Sequence, residues 1–174
     1  MSYINIDINL LNKWTIWYHK QDEPNWDKHS YIHVADIRTV LDFVKFKNSF
    51  MYLPQFLNGY YFFMKNDISP MWEDAKNRDG GCINIKVSKD IIDKSVWDVL
   101  SYGIVEELVL QDKQAINGIS VVPKKYNAII KIWNNDKSLR NVKILNSDIN
   151  FFKDDEIYYR SHLDNDNFGQ NSKK

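Results

Sequence analysis

Residues 68–81, with the sequence ISPMWEDAKNRDGG, carry the side chains best suited to binding chemistry. Pro70 fixes its own φ and the glycine pair at the end leaves φ free, so this composition predicts an irregular loop. Trp72 offers a flat π-face, and Glu73 offers two acceptor oxygens beside it. Such a pair suits a planar ligand with N–H donors on one edge, preferably positively charged, and a guanine base has that edge. The residues alone leave open the alternative of a loop anchor beside a solvated carboxylate.

Length and charge indicate a single domain that does not coat nucleic acid. The chain has 174 residues, and its 23 basic and 23 acidic residues balance to zero formal charge. Nonspecific coating rests on phosphate neutralisation, so this balance argues against it but permits the binding of one nucleotide. Cys82 is the single cysteine, which excludes an internal disulfide. The N-terminus resembles no signal peptide and no run of about 18 apolar residues occurs, so we expect a cytoplasmic protein.

Apolar alternation and helix-capping patterns predict an α+β fold. Thr39 with Asp42, and Ser95 with Asp98, have the spacing of capping boxes that open helices, and Asp136 is placed to cap a third helix to about residue 145. Strands outnumber helices and follow one another without crossovers, which favours an antiparallel sheet with helices on one face. Strands are predicted over residues 13–19, 31–37, 60–64, 83–87, 116–122, 128–133 and 156–161. We therefore divide the chain into an arm over 1–12, a domain over 13–163 and a polar, flexible tail over 164–174.

Two further features could serve a ligand. Trp26 lies in a polar loop where a large ring has no obvious core to enter, so it is a second candidate for a stacking platform. Between Lys113 and Lys143 there are seven basic residues and one acidic residue, Asp136. This stretch indicates either a phosphate-binding surface or a solvated basic face. The four histidines lack metal-ligand spacing and no nucleotide-binding glycine motif is present, so we expect neither metal nor cofactor.

Taken together, these residues resemble the mRNA cap-binding translation initiation factor 4E family. The loop motif is PMWED at 70–74, followed by Asn77 and the glycine pair at 80–81. Further matches occur in order along the chain: WTIWY at 14–18, Trp26, TVLDF at 39–43, Trp97, Glu107, IKIW at 130–133 and SH at 161–162. The resemblance extends from about residue 10 to residue 168.

The resemblance implies a curved antiparallel sheet with about three helices on its convex face and a cap slot on its concave face. Trp26 and Trp72 would enclose 7-methylguanine, Glu73 would accept its N1–H and N2 hydrogens, and the Trp72 backbone N–H would bind O6. Trp133 would lie near the N7-methyl group and His162 in a loop beside the cap. The triphosphate would contact Lys124, with Lys125 and Lys131 as possible substitutes.

The chain also departs from the family pattern in two regions. Cys82 and Ile129 occupy positions where the family has basic residues for the phosphate chain. The convex face that receives partner helices would include Val40, Val44, Asp98, Val99 and Tyr102, and Val44 stands where the family has Trp. We therefore predict that generic scaffold peptides bind poorly.

Three functional readings follow. The favoured one is a divergent, monomeric initiation factor that recruits capped mRNA through a co-diverged scaffold protein of the initiation factor 4G type, without DNA or membrane. The second is a cap-binding repressor that does not engage the usual scaffold. The third, which we disfavour, is a nucleotide-processing enzyme that uses Glu73 and Asp74 as paired carboxylates.

Overall fold

The computed structural model describes residues 8–50, 56–105, 116–140 and 157–163. The seven strands are β1 (Asn9–Lys20), β2 (Ile32–Thr39), β3 (Gly59–Lys65), β4 (Gly81–Ser88), β5 (Ile116–Pro123), β6 (Asn127–Asn134) and β7 (Ile157–Ser161). The α-helices are α1 (Val40–Phe50) and α2 (Ile92–Leu100), and α2 continues as a π-turn over Ser101–Val105. Each predicted strand is present, although β1 begins at Asn9 rather than at residue 13, inside the predicted arm.

All seven strands form one antiparallel sheet in the order β2-β1-β3-β5-β6-β4-β7. The predicted α+β class is therefore confirmed. In the sheet, β4 lies between β6 and β7. In the chain, it comes before the hairpin of β5 and β6. Among the described strands, β2 and β7 are therefore the two edges of the sheet.

The two faces of the sheet carry different side chains because successive strand residues point to opposite sides. On one face, which we call the helix face, Ile16, Phe63 and Ile132 pack with side chains of α1 and α2 in the main core. On the other, the open face, Phe62 and Trp133 belong to a smaller aromatic cluster that Trp72 covers in part. Strand β3 illustrates this alternation, since neighbours in sequence enter different clusters.

The predicted capping box at the start of α1 is confirmed. The Asp42 backbone N–H donates to the Thr39 hydroxyl oxygen at 3.0 Å, and the Thr39 backbone N–H donates to the Asp42 carboxylate at 3.0 Å. These two bonds satisfy donors that a helix start otherwise leaves without partners. The helix then buries Phe43, Phe46 and Phe50 against the sheet.

The predicted capping box at the start of α2 is wrong. The helix begins at Ile92, and the Ser95 backbone N–H already donates to the Ile91 carbonyl within its first turn. Asp98 forms an ion pair with Lys94 at 3.2 Å instead of a cap. The apolar stripe explains the earlier start, because Ile92 and Val96 extend it towards the N-terminus.

A third helix is not among the described residues. The Asp136 carboxylate accepts a hydrogen bond from the Ser138 backbone N–H at 2.7 Å, but the turn it caps is a 3-10 turn over Lys137–Leu139. The rest of the predicted helix lies beyond residue 140, outside the described ranges. The structure therefore has two α-helices rather than three within those ranges. The N-terminal part of the arm and the tail from residue 164 also lie outside them and stay predictions.

Candidate functional site

Six of the eight residues predicted to lie at the ligand line one cavity on the open face. Its volume is about 350 Å³, and its walls come from β3, β5 and β6, from the loop after β1 and from the loop that precedes β4. The side chains around it are mainly aromatic, with one carboxylate and two ammonium groups. They are Trp26, Tyr31, Tyr60, Phe62, Pro70, Trp72, Glu73, Ser120, Val122, Lys124, Lys131 and Trp133.

The loop over residues 68–80 is held in place by two of its own polar side chains. The Asp74 carboxylate accepts hydrogen bonds from the backbone N–H groups of Ser69 at 3.0 Å and Lys76 at 2.9 Å. Asn77 is fully buried, and its amide donates to the carbonyls of Ser69 at 2.9 Å and Met71 at 2.7 Å. These bonds bracket Trp72 and Glu73 on both sides, so the loop presents them from a fixed backbone. Asp74 is thus a structural acceptor and not half of a carboxylate pair.

The glycine pair after this loop serves close packing. A Cβ atom at Gly80 would collide with the Asn134 carbonyl oxygen, and one at Gly81 would collide with the Arg160 carbonyl oxygen. Neither glycine has a positive φ. The sequence interpretation that they free the backbone is therefore wrong: they let the loop enter the sheet between β6 and β7.

Trp26 lies against a buried histidine. Its ring stacks on the ring of His19, with centroids 3.9 Å apart and an interplanar angle of 5°. Tyr60 and Tyr31 contact the indole at 5.1 Å and 6.2 Å. The ring of Trp26 remains 48% exposed, as a ligand platform requires. His19 thus supports one π-face of Trp26 from the protein side.

The hydrogen bonds of His19 fix the orientation of that support. Its Nδ1 lies 2.8 Å from the Lys20 carbonyl oxygen, and its Nε2 lies 2.8 Å from the Asn25 carbonyl oxygen. Carbonyl oxygens only accept, so a ring nitrogen that carries a proton donates to the carbonyl it faces. His19 ties the loop that carries Trp26 to the end of β1.

Trp133 forms a rigid wall at the middle of the cavity. It is 6% exposed, and its indole N–H donates to the Ser120 hydroxyl at 2.9 Å. His162, predicted to lie in a loop beside the ligand, lies in the turn after β7 and is buried next to Trp133. Its ring is 4.9 Å from Trp133, and its Nε2 is 3.9 Å from the Cys82 sulfur. Burial, with a smaller effect of the Lys131 charge, lowers the pKa of His162 to about 4, so the ring is neutral at pH 7.

The basic end of the cavity differs from the prediction in its details. Lys124 and Lys131 line it, whereas the Lys125 ammonium lies 5.0 Å from the centre of the exposed Tyr126 ring. Burial lowers the pKa of Lys131, and the charges of Lys124 and Arg160 lower it further, while Cys82 acts in the opposite sense. Like charges therefore converge here, and an anion would relieve their repulsion.

The Cys82 side chain adds no charge to the basic end of the cavity. Burial raises the pKa of its thiol to about 12, with a smaller opposing effect of Lys131. The thiol is therefore protonated at pH 7 and behaves as a small apolar side chain. Ile129, the other position that departs from the family pattern, is partly exposed on β6.

Tyr31 and Glu73 link the cavity to a second, larger one. This neighbour has a volume of about 620 Å³ and shares Tyr31, Pro70 and Glu73 with the first. Burial, and then the negative charge of Glu73, raise the pKa of Tyr31 well above its usual range. Glu73 itself is exposed, so its carboxylate is accessible to a ligand in the first cavity.

The predicted partner surface is exposed only in part. Val44 on α1 is 39% exposed, while Val40, Asp98 and Tyr102 are partly buried. Val99 is fully buried and belongs to the main core, so the prediction that it lies on the partner surface is wrong. It faces inward because it follows the apolar stripe of α2 together with Val96.

Several lining residues escaped the sequence interpretation, chiefly Tyr31, Tyr60, Phe62, Ser120 and Val122. Strand alternation could have found three of them, because Tyr60 and Phe62 share one face of β3 and Ser120 faces the same side from β5. His19 could have been found as well, since it lies two residues after Trp17 on β1. Tyr31 was predicted as the first residue of a strand, but it lies in the loop before β2, so alternation along that strand could not place it.

The described residues show neither a metal-ligand cluster nor a membrane-spanning helix. Those residues contain no group of three or more His, Cys, Asp or Glu side chains placed to hold a metal ion. Within the same ranges no helix is long and apolar enough to cross a membrane.

Comparison with known proteins gives consistent results. Residues 9–174 match the family model described as eukaryotic initiation factor 4E. Initiation factor 4E of Eremothecium gossypii is 31% identical over 140 residues, which are 75% of this chain and 63% of the relative. Initiation factor 4E1 of Drosophila melanogaster is 29% identical over 164 residues, which are 89% of this chain and 62% of the relative. The chain thus matches a little over three fifths of the length of each of these relatives.

Solved structures give the same result for the fold. One is initiation factor 4E-3 of C. elegans in complex with the 4E-binding protein Mextli and a cap analog. It superposes with a TM-score of 0.77 at 25% sequence identity, and the match covers 92% of this chain and 95% of the C. elegans chain. Initiation factor 4E-3 of Ascaris suum, in complex with an m7G cap, gives a TM-score of 0.74 at 27% identity, covering 90% and 92%. Because the family model matches nearly the whole chain, and the fold agrees, the chain belongs to the eukaryotic initiation factor 4E family.

Proposed function

We propose that the chain binds the 7-methylguanosine cap of mRNA and recruits capped mRNA for translation initiation. The observation that carries the proposal is that Trp26, Trp72 and Glu73, from two separate loops, line one cavity of about 350 Å³. The cap complexes of the Ascaris suum and C. elegans relatives support the same ligand. The proposal assigns no chemical step to the protein, and Asp74, the second carboxylate an enzyme would need, is occupied by the loop backbone.

Charge on the base explains why two indoles suit this ligand. Methylation at N7 gives the purine a delocalised positive charge, and a cation between two indole faces gains cation–π attraction in addition to stacking. Each stacked platform contributes about 1–3 kcal/mol. In this proposal Trp26 and Trp72 stack on the two sides of the base, and Trp133 lies near the methyl group.

Hydrogen bonding then selects guanine among the purines. The Glu73 carboxylate accepts from N1–H and from the N2 amino group, and the Trp72 backbone N–H donates to O6. By analogy with bidentate base recognition, the carboxylate contacts contribute about 1–3 kcal/mol. After the cost of association, micromolar or tighter binding follows. Lys124 and Lys131 bind the phosphate chain at the basic end of the cavity.

The test is a tryptophan-fluorescence titration with 7-methyl-GTP and with GTP. We expect the wild type to prefer the methylated ligand and Glu73→Ala to bind it at least about tenfold more weakly, since the bidentate contact is lost. Asp79→Ala, which removes an exposed carboxylate from the same loop, is the matched control and should bind as the wild type does. Equal, weak binding of both ligands by the wild type would refute the proposal.

A second candidate function is a cap-binding repressor that does not recruit the scaffold protein. The observation that favours it lies on the helix side, where Val44 is exposed and Asp98 forms an ion pair with Lys94. An apolar side chain as small as valine offers a partner helix much less contact area than an aromatic one. Pull-down of a scaffold protein of the 4G type by the wild type would favour the initiator. Cap binding without such capture would favour the repressor.

A further inference from the structure

Strand β5 contains a β-bulge close to its start. Ile116 and Gly118 pair with consecutive residues of β6, so Asn117 between them is an extra residue with no partner on that strand. A bulge turns a side chain out of the regular alternation of the strand, and bulges are frequent next to active sites. The direction in which this one turns Asn117 is therefore of interest.

The Asn117 side chain binds the loop over residues 68–80. Asn117 is 4% exposed, so its amide must find its partners inside the protein. The amide nitrogen donates to the Lys76 carbonyl at 2.6 Å and to the Asn77 side-chain oxygen at 3.0 Å. Both acceptors belong to the loop. Strand β5 thus holds the loop through a side chain that lies outside it.

These bonds favour one orientation of the Asn77 amide. An amide accepts through its oxygen and donates through its NH2 group. With its oxygen on Asn117, Asn77 directs its NH2 group to the carbonyls of Ser69 and Met71. A flipped Asn77 would place its oxygen against those two carbonyls and its NH2 group against the NH2 group of Asn117. The native orientation is the one that satisfies all of these buried groups.

The Met71 carbonyl shares a peptide group with the Trp72 N–H. None of the described peptide bonds is cis, and the C=O and N–H of a planar trans peptide point in opposite directions. The Asn77 amide at 2.7 Å and the Asp74 backbone N–H at 3.3 Å hold this carbonyl. They therefore fix the direction of the Trp72 N–H as well, which is the proposed donor to guanine O6.

We propose that Asn117 is a positioning residue for guanine recognition, which acts through the Asn77 amide on the peptide group between Met71 and Trp72. Asn117 does not line the cavity, so it acts without contacting the ligand. The inference rests on the proposed function and deepens it, because the donor to O6 is aimed by β5 from outside its own loop. The ligand feature concerned is the O6 atom, which guanine has and adenine lacks.

The test compares 7-methyl-GTP with 7-methyl-ATP by tryptophan-fluorescence titration. Both ligands carry a charged, N7-methylated base and a triphosphate, and they differ at the edge that Trp72 N–H and Glu73 would bind. We expect the wild type to prefer 7-methyl-GTP. Asn117→Ala should lower the ratio of the two association constants by about two- to tenfold, the range for one hydrogen bond. The affinity for 7-methyl-ATP should not fall, because that ligand has no O6 contact to lose.

Asn84→Ala is the matched control. Asn84 is also a buried asparagine, and its amide donates to two backbone carbonyls, those of Cys82 at 3.0 Å and Tyr158 at 3.4 Å. These bonds lie within β4 and between β4 and β7. Asn84→Ala should therefore lower the free energy of unfolding, as Asn117→Ala does, but leave the ratio of association constants unchanged.

Asn117→Ser is a second variant, for use if circular dichroism shows that Asn117→Ala does not fold. Serine keeps one donor, but a single short hydroxyl cannot donate to both the Lys76 carbonyl and the Asn77 side chain. The ratio should fall again, by a smaller factor than in the alanine variant.

Three outcomes would overturn the inference. If wild-type protein does not bind 7-methyl-GTP, the proposed function fails and the inference fails with it. If the wild type prefers 7-methyl-GTP and the folded Asn117 variants keep the full preference, the inference alone is refuted. An equal fall of the ratio in Asn84→Ala would also refute it, because the loss would then follow from stability and not from the position of Trp72.

Discussion

The two ends of the cavity are built in different ways. The base end is set by hydrogen bonds within one loop and by ring stacking, with Trp72 and Glu73 bracketed by Asp74 and Asn77. The basic end is a set of like charges on β6, β7 and the turn before β6, around an uncharged Cys82. Base recognition requires particular rings and acceptors at fixed positions, whereas phosphate attraction depends mainly on the sum of nearby charge. A chain can therefore move its cations among strands while its base-binding loop stays the same.

Asn77→Ala is expected to have the largest effect, because it removes the bonds that fix the base end. The buried amide donates to two loop carbonyls and accepts from Asn117 at 3.0 Å, so its loss leaves several buried groups without partners. We expect the free energy of unfolding to fall by about 2–4 kcal/mol, measured by urea denaturation. Asn25→Ala, at an exposed asparagine whose backbone alone forms the hydrogen bonds described above, is the control and should change it little. A fall no larger than in the control would mean that the loop does not depend on Asn77.

His162→Gln tests whether the buried ring of His162, next to Trp133, is neutral in the folded protein. The folded-state pKa of about 4 lies below the usual value of 6.5, so below pH 6.5 the unfolded chain binds a proton that the folded chain does not. The free energy of unfolding should therefore decrease as the pH falls from 6.5 to 4, by about 1–3 kcal/mol from this group. We expect His162→Gln to lose less stability than the wild type between pH 7 and pH 4.5. Equal losses would show that His162 does not titrate in this window.

His19→Ala is expected to have the smallest effect of the three changes, and the effect is on binding. Trp26 would lose the ring stacked on its inner face, and cap affinity should drop by about three- to tenfold, as for a weak aromatic pair. His19→Phe restores a ring without the two hydrogen bonds, so titration of both variants with 7-methyl-GTP separates stacking from tethering. If the alanine variant binds as the wild type does, the base end does not need this support.

Sequence patterns predicted the sheet and the principal rings, but not the relations between strands. The loop motif, Trp26 and Trp133 were identified because their residue types are rare in loops or match the family, and the structure brings them to one cavity. The capping pattern of Ser95 misled because Ser and Asp three residues apart also occur within a helix. Arg160 was missed because its position beside Cys82 comes from the pairing of β4 with β7, which are far apart in the chain. Val99 was misplaced because it was assigned from the family's partner-binding face, whereas it follows the apolar stripe of α2 together with Val96.

The central claim is that one end of the cavity recognises the base and the other attracts the phosphates. The ratio of association constants for 7-methyl-GTP and GTP tests it most directly. It is measured in Trp72→Leu and in Lys131→Ala beside the wild type. We predict that Trp72→Leu lowers the ratio sharply, because one of the two indoles that distinguish a charged base from a neutral one is lost. Lys131→Ala should weaken both ligands by a similar factor and leave the ratio unchanged. A ratio that survives in Trp72→Leu, or collapses in Lys131→Ala, would contradict the account.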